Sequence, residues 1–250
     1  MKAVIVDLDK TLLRSDKTIS EKTQRVMEKC RQKGMKLLVA TARPQRTMKV
    51  FLEQISVDAA TVSNGARVLC GDEKAECSME WDDVKEILRR LAGYPHLRIT
   101  LETGDLAYSN LPIDGYETIL VKDLFEVAKA EGALKLLVHM DDFSTWEIVK
   151  GIVPENVNMT IAHGTLIQFQ HKRATKWNGV KTMLDYVGCT PEEAIYFGDD
   201  HDDIESIRMC GMGIAMANGA EEVKMAADDI ARSNDEDGVA CYLCDHFNLI

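Results

Sequence analysis

Residues 1–13 read MKAVIVDLDKTLL, and the step from Ala3–Val6 into Asp7 and Asp9 decides how the chain is read. Four apolar residues, three of them β-branched, form a short buried strand. In extended chain, residues two apart project to the same side, so Asp7 and Asp9 face one small volume. Two carboxylates held that close resist joint ionisation. The pair makes sense with a cation between them, or with one of the two carrying a proton. Taken alone, Asp9-Lys10-Thr11 is equally at home as a turn cap, and the rest of the chain must choose.

Outward from that strand, Ser20 is placed to N-cap a helix running to about Lys33, which Gly34 closes. Lys36–Ala40 is a second apolar strand, a helix follows Pro44, and a third strand lies near Ala59–Val62. Strand and helix in alternation specify a parallel sheet with covering helices. The same grammar returns late. Val180, Met183, Leu184 and Val187 line one helix face that Gly188 ends. Residues 195–197 are a strand, a helix follows Asp202, and 213–217 are a strand again. The Gly-Met-Gly at 211–213 lacks the third glycine of a dinucleotide loop and lies between a helix end and a strand, so that reading is rejected.

The middle has a different pattern. Val84, Ile87, Leu88 and Leu91 share one helix face, and strands are expected at 97–101 and 134–140. A hairpin is expected around His163-Gly164-Thr165. There Met159, Ile161, Ile167 and Phe169 alternate with Asn158, Thr160, Gln168 and Gln170. Period two with one wet face belongs to an antiparallel sheet. Residues 82–172 therefore read as an α+β module inserted into an α/β core made of 1–81 and 173–250.

The totals narrow the function. At 250 residues, 46% hydrophobic and 28% charged, the chain has ample material for a core. No apolar run reaches the roughly 18 residues of a membrane span, and Asp7 and Asp9 interrupt the one early apolar run, so no export signal is read and the cytoplasm is expected. A net charge of −11 argues against nucleic acid or an anionic membrane as partner. It leaves room for a small anionic substrate, because charge is screened beyond about 8 Å and the pocket lining decides. The seven scattered cysteines read as free thiols. Cys241-x-x-Cys244 near His246 lacks the second pair of a zinc site.

Four segments then line up where core strands end or helices begin: VDLDKT with Asp7 and Asp9, VATARP with Thr41 and Arg43, ATKWNG with Lys176, and YFGDDHDD with Asp199, Asp200, Asp202 and Asp203. In open α/β sheets ligands bind beyond the carboxyl ends of the strands. Carboxylates on short loops make a hard-oxygen site of the kind magnesium takes together with phosphate oxygens. A hydroxyl and a lysine beside it suit the oxygens of a transferring phosphoryl group, and a carboxylate can itself attack phosphorus. Singly, each piece has a plainer reading as a strand end, a solvated lysine or a helix cap.

VDLDKTLL, ATARP, SNGA, Lys176 and FGDDHDDI, in that order, resemble the haloacid dehalogenase (HAD) superfamily of phosphohydrolases. More narrowly they resemble its Cof-type branch, subfamily IIB, with a C2-type cap between the second and third motifs. The likeness runs to the closing GMGIAMANGAEEVKMAAD and SNDEDGVA. It implies a Rossmann-like parallel-sheet core with an inserted α+β cap, and a magnesium-dependent phosphatase acting on a small phosphorylated metabolite, a sugar phosphate first. By this resemblance Asp7 is the nucleophile that forms an aspartyl-phosphate, and Asp9 is the general acid and base. Thr41, Lys176 and the backbone N–H groups near Leu8 and Ala42 hold phosphate. Mg2+ is bound by the Asp7 side chain, the Asp9 carbonyl and the Asp199 carboxylate. Arg43, Asn64, Asp202 and Asp203 are candidates for contact with the substrate or for support behind the site, and the cap is expected to close over it and contribute specificity.

Three positions depart from the family pattern. Lys10 and Ala42 stand where glycine is usual. Asp202 stands where asparagine is usual, and an ionised carboxylate cannot donate to phosphate. Asp202 therefore turns toward the metal or weakens catalysis. The alternatives are a phosphomutase on a sugar phosphate, or a catalytically weak binding or regulatory module on the same fold. A receiver-type signalling domain also clusters aspartates on an α/β sheet, but the pair at Asp7 and Asp9 and the inserted module argue against it.

Overall fold

The computed structural model describes residues 1–162 and 164–247. The chain forms two compact units, one of residues 1–75 with 175–250 and the other of residues 76–174. These joints fall a few residues from 81/82 and 172/173, where the change of sequence pattern placed them.

The first unit begins with β1 (Ala3–Val6), α1 (Glu21–Gln32), β2 (Lys36–Ala40), α2 (Gln45–Leu52) and β3 (Ala59–Val62), then β4 (Arg67–Cys70) and β5 (Glu73–Glu76). Ser20 caps α1 by accepting a hydrogen bond from the Thr23 N–H at 3.0 Å. The turn after β1 is tight because Lys10 adopts a left-handed conformation, φ 56°, which accounts for the glycine usual at that position. Leu8 and Thr11 on either side of the turn are buried, whereas Lys10 itself is exposed.

The second unit follows with α3 (Trp81–Leu91), β6 (Arg98–Glu102), β7 (Ala107–Ser109), β8 (Ile119–Leu120), α4 (Leu124–Glu131), β9 (Lys135–His139), α5 (Phe143–Val149), β10 (Val157–Ala162) and β11 (Leu166–His171). Its sheet has the order β10-β11-β9-β6-β7-β8. Across β6, β9 and β11 the rows Ile99–Val138–Ile167 and Leu101–Leu136–Phe169 are in register. These side chains form one core with Val84, Ile87, Leu88 and Leu91 of α3. The alternation at β10 and β11 is present, with Met159 opposite Phe169 and Ile161 opposite Ile167. Two details depart from it. The alternation puts Gln170 on a wet face, yet it is buried and its Nε2 donates to the Ala174 carbonyl at 2.7 Å. Ile161, assigned to the dry face, is 44% exposed on the edge strand. His163, at the expected hairpin, lies outside the described residues.

The chain returns to the first unit through α6 (Lys176–Val187), β12 (Ala194–Gly198), α7 (Ile204–Met209), β13 (Met212–Met216), α8 (Glu221–Ala226), β14 (Asp229–Ala231) and α9 (Gly238–Phe247). The strand order is β14-β13-β12-β1-β2-β3-β4-β5. The strands from β14 to β3 are parallel, and β4 runs antiparallel to β3. Both faces are covered, as a parallel sheet requires. Val4, Val6 and Val39 pack with residues of α1, α2 and α9 on one side. Ala3, Ile5 and Leu38 pack with residues of α6, α7 and α8 on the other. No helix among the described residues is long and apolar enough to cross a membrane.

Candidate active site

Strands β12, β1 and β2 are neighbours, with Phe197 in register with Val6 and Val6 with Val39. Their carboxyl ends therefore deliver Asp199, Asp7 and Thr41 side by side. The Asp7 N–H still donates to the Phe197 carbonyl at 3.0 Å, and the Thr41 N–H to the Thr61 carbonyl at 2.9 Å, so both residues are held by the sheet. Asp7, Thr41 and Asp199 are all buried. Leu8 and Ala42 follow Asp7 and Thr41 directly, placing their N–H groups at the same strand ends. The turn at Lys10 folds Thr11 back so that its hydroxyl donates to Asp199 Oδ1 at 2.8 Å.

Lys176 is the first residue of α6, whose N-cap Thr175 accepts from the Asn178 N–H. Its side chain is 3% exposed, and the ammonium lies 3.0 Å from Asp7, 2.7 Å from Asp203 and 3.2 Å from Asp202. A lysine is buried this deeply only when paired. Burial alone would lower its pKa, but Asp203, Asp7 and Asp202 outweigh that and hold it charged. Asp202 is therefore directed at Lys176.

The SNGA stretch braces this end of the sheet. Ser63, Asn64 and Gly65 all have left-handed φ, 51°, 54° and 88°. The Ser63 and Asn64 N–H groups donate to the Arg43 and Thr41 carbonyls at 2.9 and 3.1 Å. A Cβ at Gly65 would lie 1.9 Å from the Thr175 carbonyl oxygen, so only glycine lets this turn meet the start of α6. Among the described residues, Asn64 Oδ1 is buried without a hydrogen-bond partner.

Asp7 and Asp9 go separate ways. Asp9 receives Arg43 Nε at 2.5 Å on one oxygen, and Arg43 with Lys17 at 2.7 Å each on the other. Burial would raise its carboxyl, but these hydrogen bonds prevail and hold it at about 2. Asp7 is raised well above the ordinary carboxylate range by burial, with Lys176 pulling it back and Asp203, Asp199 and Asp202 adding to the rise. Burial likewise pushes Asp199 to about 6, against the pull of the Thr11 hydrogen bond.

Asp7, Asp199 and Asp203 bring carboxylate oxygens within 4.8 Å of one another. The Asp203 carboxylate is already satisfied. One oxygen accepts from Lys176 at 2.7 Å and the Tyr196 hydroxyl at 2.6 Å, the other from the Asp199 and Asp200 N–H groups at 3.1 Å each. Asp7 and Asp199 are the cluster members with oxygen capacity to spare. Three buried carboxylates set against one buried ammonium leave a deficit of positive charge, and an all-oxygen donor set suits a hard divalent cation. The residues present fit such an ion. On α9 Cys241 accepts from Lys22 at 2.9 Å and His246 stacks on Tyr242, and among the described residues the C-x-x-C joins no such cluster. All seven cysteines are free thiols.

Sequence reasoning missed Tyr196, Thr11 and Lys17. Thr11 sits inside the Asp9-Lys10-Thr11 turn and a hydroxyl facing back to the strand end was legible there; Tyr196 reads as one more apolar strand residue.

The family model for haloacid dehalogenase-like hydrolases matches residues 4–243. The 5-amino-6-(5-phospho-D-ribitylamino)uracil phosphatase YitU of Bacillus subtilis is 29% identical over 273 residues, covering 98% of this chain and 97% of that protein. The crystal structure of a haloacid dehalogenase-like hydrolase from Bacteroides thetaiotaomicron matches with a TM-score of 0.89 at 24% identity, covering 98% and 99% of the two chains. The HAD subclass IIB sugar phosphatase BT4131 matches with a TM-score of 0.84 at 22% identity over the whole of both chains.

Proposed function

Because the chain belongs to the haloacid dehalogenase-like hydrolases, we propose that it is a phosphatase that cleaves a small phosphorylated metabolite through a phosphoryl group carried on Asp7. The observation that carries this reading is the buried Asp7 carboxylate at the end of β1, 3.0 Å from the Lys176 ammonium and beside the Asp199 carboxylate. Asp7 attacks phosphorus, a bond forms from its carboxylate oxygen, and the ester P–O bond breaks. Asp9 gives its proton to the departing alkoxide. A water then attacks the aspartyl-phosphate, Asp9 takes the water's proton, and inorganic phosphate leaves with Asp7 restored.

Lys176 and the Thr41 hydroxyl bind the phosphoryl oxygens, joined by the N–H groups of Leu8 and Ala42. Mg2+ would be held by Asp7, the Asp9 carbonyl and Asp199, and when bound it supplies the positive charge that lets a carboxylate approach a phosphate dianion. Asp9 cannot donate while Arg43 and Lys17 keep it ionised. A phosphorylated substrate brings an anion that competes for these two cations, and their departure frees Asp9 to carry a proton. A phosphorylated sugar or sugar alcohol is the substrate class, in keeping with the phospho-ribityl compound in YitU's name and the sugar phosphatase among the structural matches.

The test is phosphate release from sugar, sugar-alcohol, nucleotide and cofactor phosphates and p-nitrophenyl phosphate, with Mg2+, with chelator, and with Asp7→Asn. Metal-dependent release that Asp7→Asn abolishes is expected. Release that survives Asp7→Asn would sink the assignment of the nucleophile. No release above that background from any substrate would sink the phosphatase.

A further inference from the structure

Tyr196 has no part in the chemistry proposed above, yet it touches the centre of the charge network. It lies on β12, fully buried among apolar side chains that include Ile5 and Leu38. Packing at such a position is served equally by phenylalanine. The hydroxyl is a liability there unless bonded. Its one hydrogen bond among the described residues is to Asp203 Oδ1, at 2.6 Å, the short distance of a donor on an ionised oxygen.

We propose that Tyr196 is a positioning residue for phosphoryl transfer, its hydroxyl fixing the Asp203 carboxylate so that Lys176 is aimed at Asp7 and at the phosphoryl group Asp7 receives. The inference rests on the phosphatase reading. Lysine has a flexible stem and a freely rotating ammonium, so its aim is set by its acceptors. Asp203 Oδ1 offers two lone-pair directions. The Tyr196 hydroxyl takes one and leaves Lys176, at 2.7 Å, the other. Oδ2 is fixed by the Asp199 and Asp200 N–H groups. With four donors on two oxygens, Asp203 is an immovable anchor, and Lys176 reaches Asp7 Oδ1 at 3.0 Å from that anchor. Without the hydroxyl, Oδ1 has Lys176 as its sole donor and draws the ammonium away from Asp7.

The decisive variant is Tyr196→Phe in the full chain, which keeps the aromatic volume. Two quantities are read: kcat on p-nitrophenyl phosphate with Mg2+, and the side-chain 15N signal of the Lys176 ammonium without metal or substrate, assigned by its absence in Lys176→Met. We expect kcat to fall about tenfold or more, the effect of one hydrogen bond to a charged group. The Lys176 signal shifts or broadens while other lysine signals stay. In an Asp203→Asn background, Tyr196→Phe changes kcat by less than about twofold, because its action runs through that carboxylate. An unchanged Lys176 signal, a kcat within about twofold of the parent, or an equal loss in both backgrounds would each overturn the proposal. A purely structural tyrosine lowers the melting temperature and leaves kcat and the signal alone. If the parent protein releases no phosphate, the phosphatase reading falls by itself, and the Lys176 signal still judges whether Tyr196 sets the lysine.

Discussion

Replacing Lys176 with methionine keeps most of the side-chain stem and removes the charge, and the surroundings set the size of the effect. Three carboxylates, Asp7, Asp202 and Asp203, lie 2.7–3.2 Å from the ammonium of a side chain that is 3% exposed. Deleting one partner of a buried ion pair costs about 3–5 kcal/mol, because the charge left behind has neither water nor counterion. For a unit of 150–250 residues each kcal/mol is worth about 2–4 °C, so the melting temperature should fall by roughly 6–20 °C in chelator. The deficit must also depend on pH. Asp7 is already raised by burial, and Lys176 is what restrains it, so the variant's folded Asp7 binds its proton more tightly than the unfolded chain does. Stability then rises as pH falls through the folded pKa, since the native state holds the extra proton. The gap between Lys176→Met and the parent should therefore be widest at pH 8 and narrower at pH 5. Thermal unfolding at pH 5, 6.5 and 8 measures both. A loss below about 3 °C, or one that does not shrink toward pH 5, refutes the view that Lys176 neutralises buried charge.

Two further substitutions separate the backbone and electrostatic arguments. Gly65→Ala places a Cβ 1.9 Å from the Thr175 carbonyl at φ +88°, whereas Gly34→Ala has a similar φ, +82°, with nothing within 4 Å. Gly34→Ala should cost about 1–2 kcal/mol from the left-handed conformation alone, and Gly65→Ala more than about 4 kcal/mol; denaturation midpoints that agree would refute the clash. Arg43→Met should release the Asp9 carboxyl upward from about 2, read by carboxyl 13C titration. Because the folded pKa is depressed, the stability this clamp contributes is present above the unfolded carboxylate pKa and lost as pH falls through about 2, so the variant's penalty should fade between pH 4 and 2. A penalty that is constant over that window would mean that Arg43 acts by packing, for instance through its position over the Phe51 ring.

The core was legible because its signals are local and repeated. Apolar strands, capped helices and a closing glycine recur at β1, α1, β2 and α6, and parallel neighbours necessarily bring their carboxyl ends together, which is why Asp7, Thr41 and Asp199 could be grouped before any coordinates. Strand β5 gave no such signal: Glu73–Glu76 is exposed, and three of its four residues are charged. The buried Gln170 was equally hidden, since period two assigns a face and says nothing of what covers it.

Which charge meets which partner is a matter of side-chain reach, and here the sequence pattern ran out. The pair Asp7 and Asp9 suggested two carboxylates competing for one small volume. Instead Asp7 has Lys176, delivered from α6, and Asp9 has Arg43 and Lys17, delivered from the loops after β2 and β1. One carboxylate is kept buried and the other ionised, and neither relies on the other for its state. The remaining shortage of positive charge is confined to Asp7 and Asp199, because Asp203 is spent on holding the lysine and the backbone of its own loop. A divalent cation therefore has one place to go in this network, and under the proposed function it is the place where Asp7 would meet a phosphate dianion.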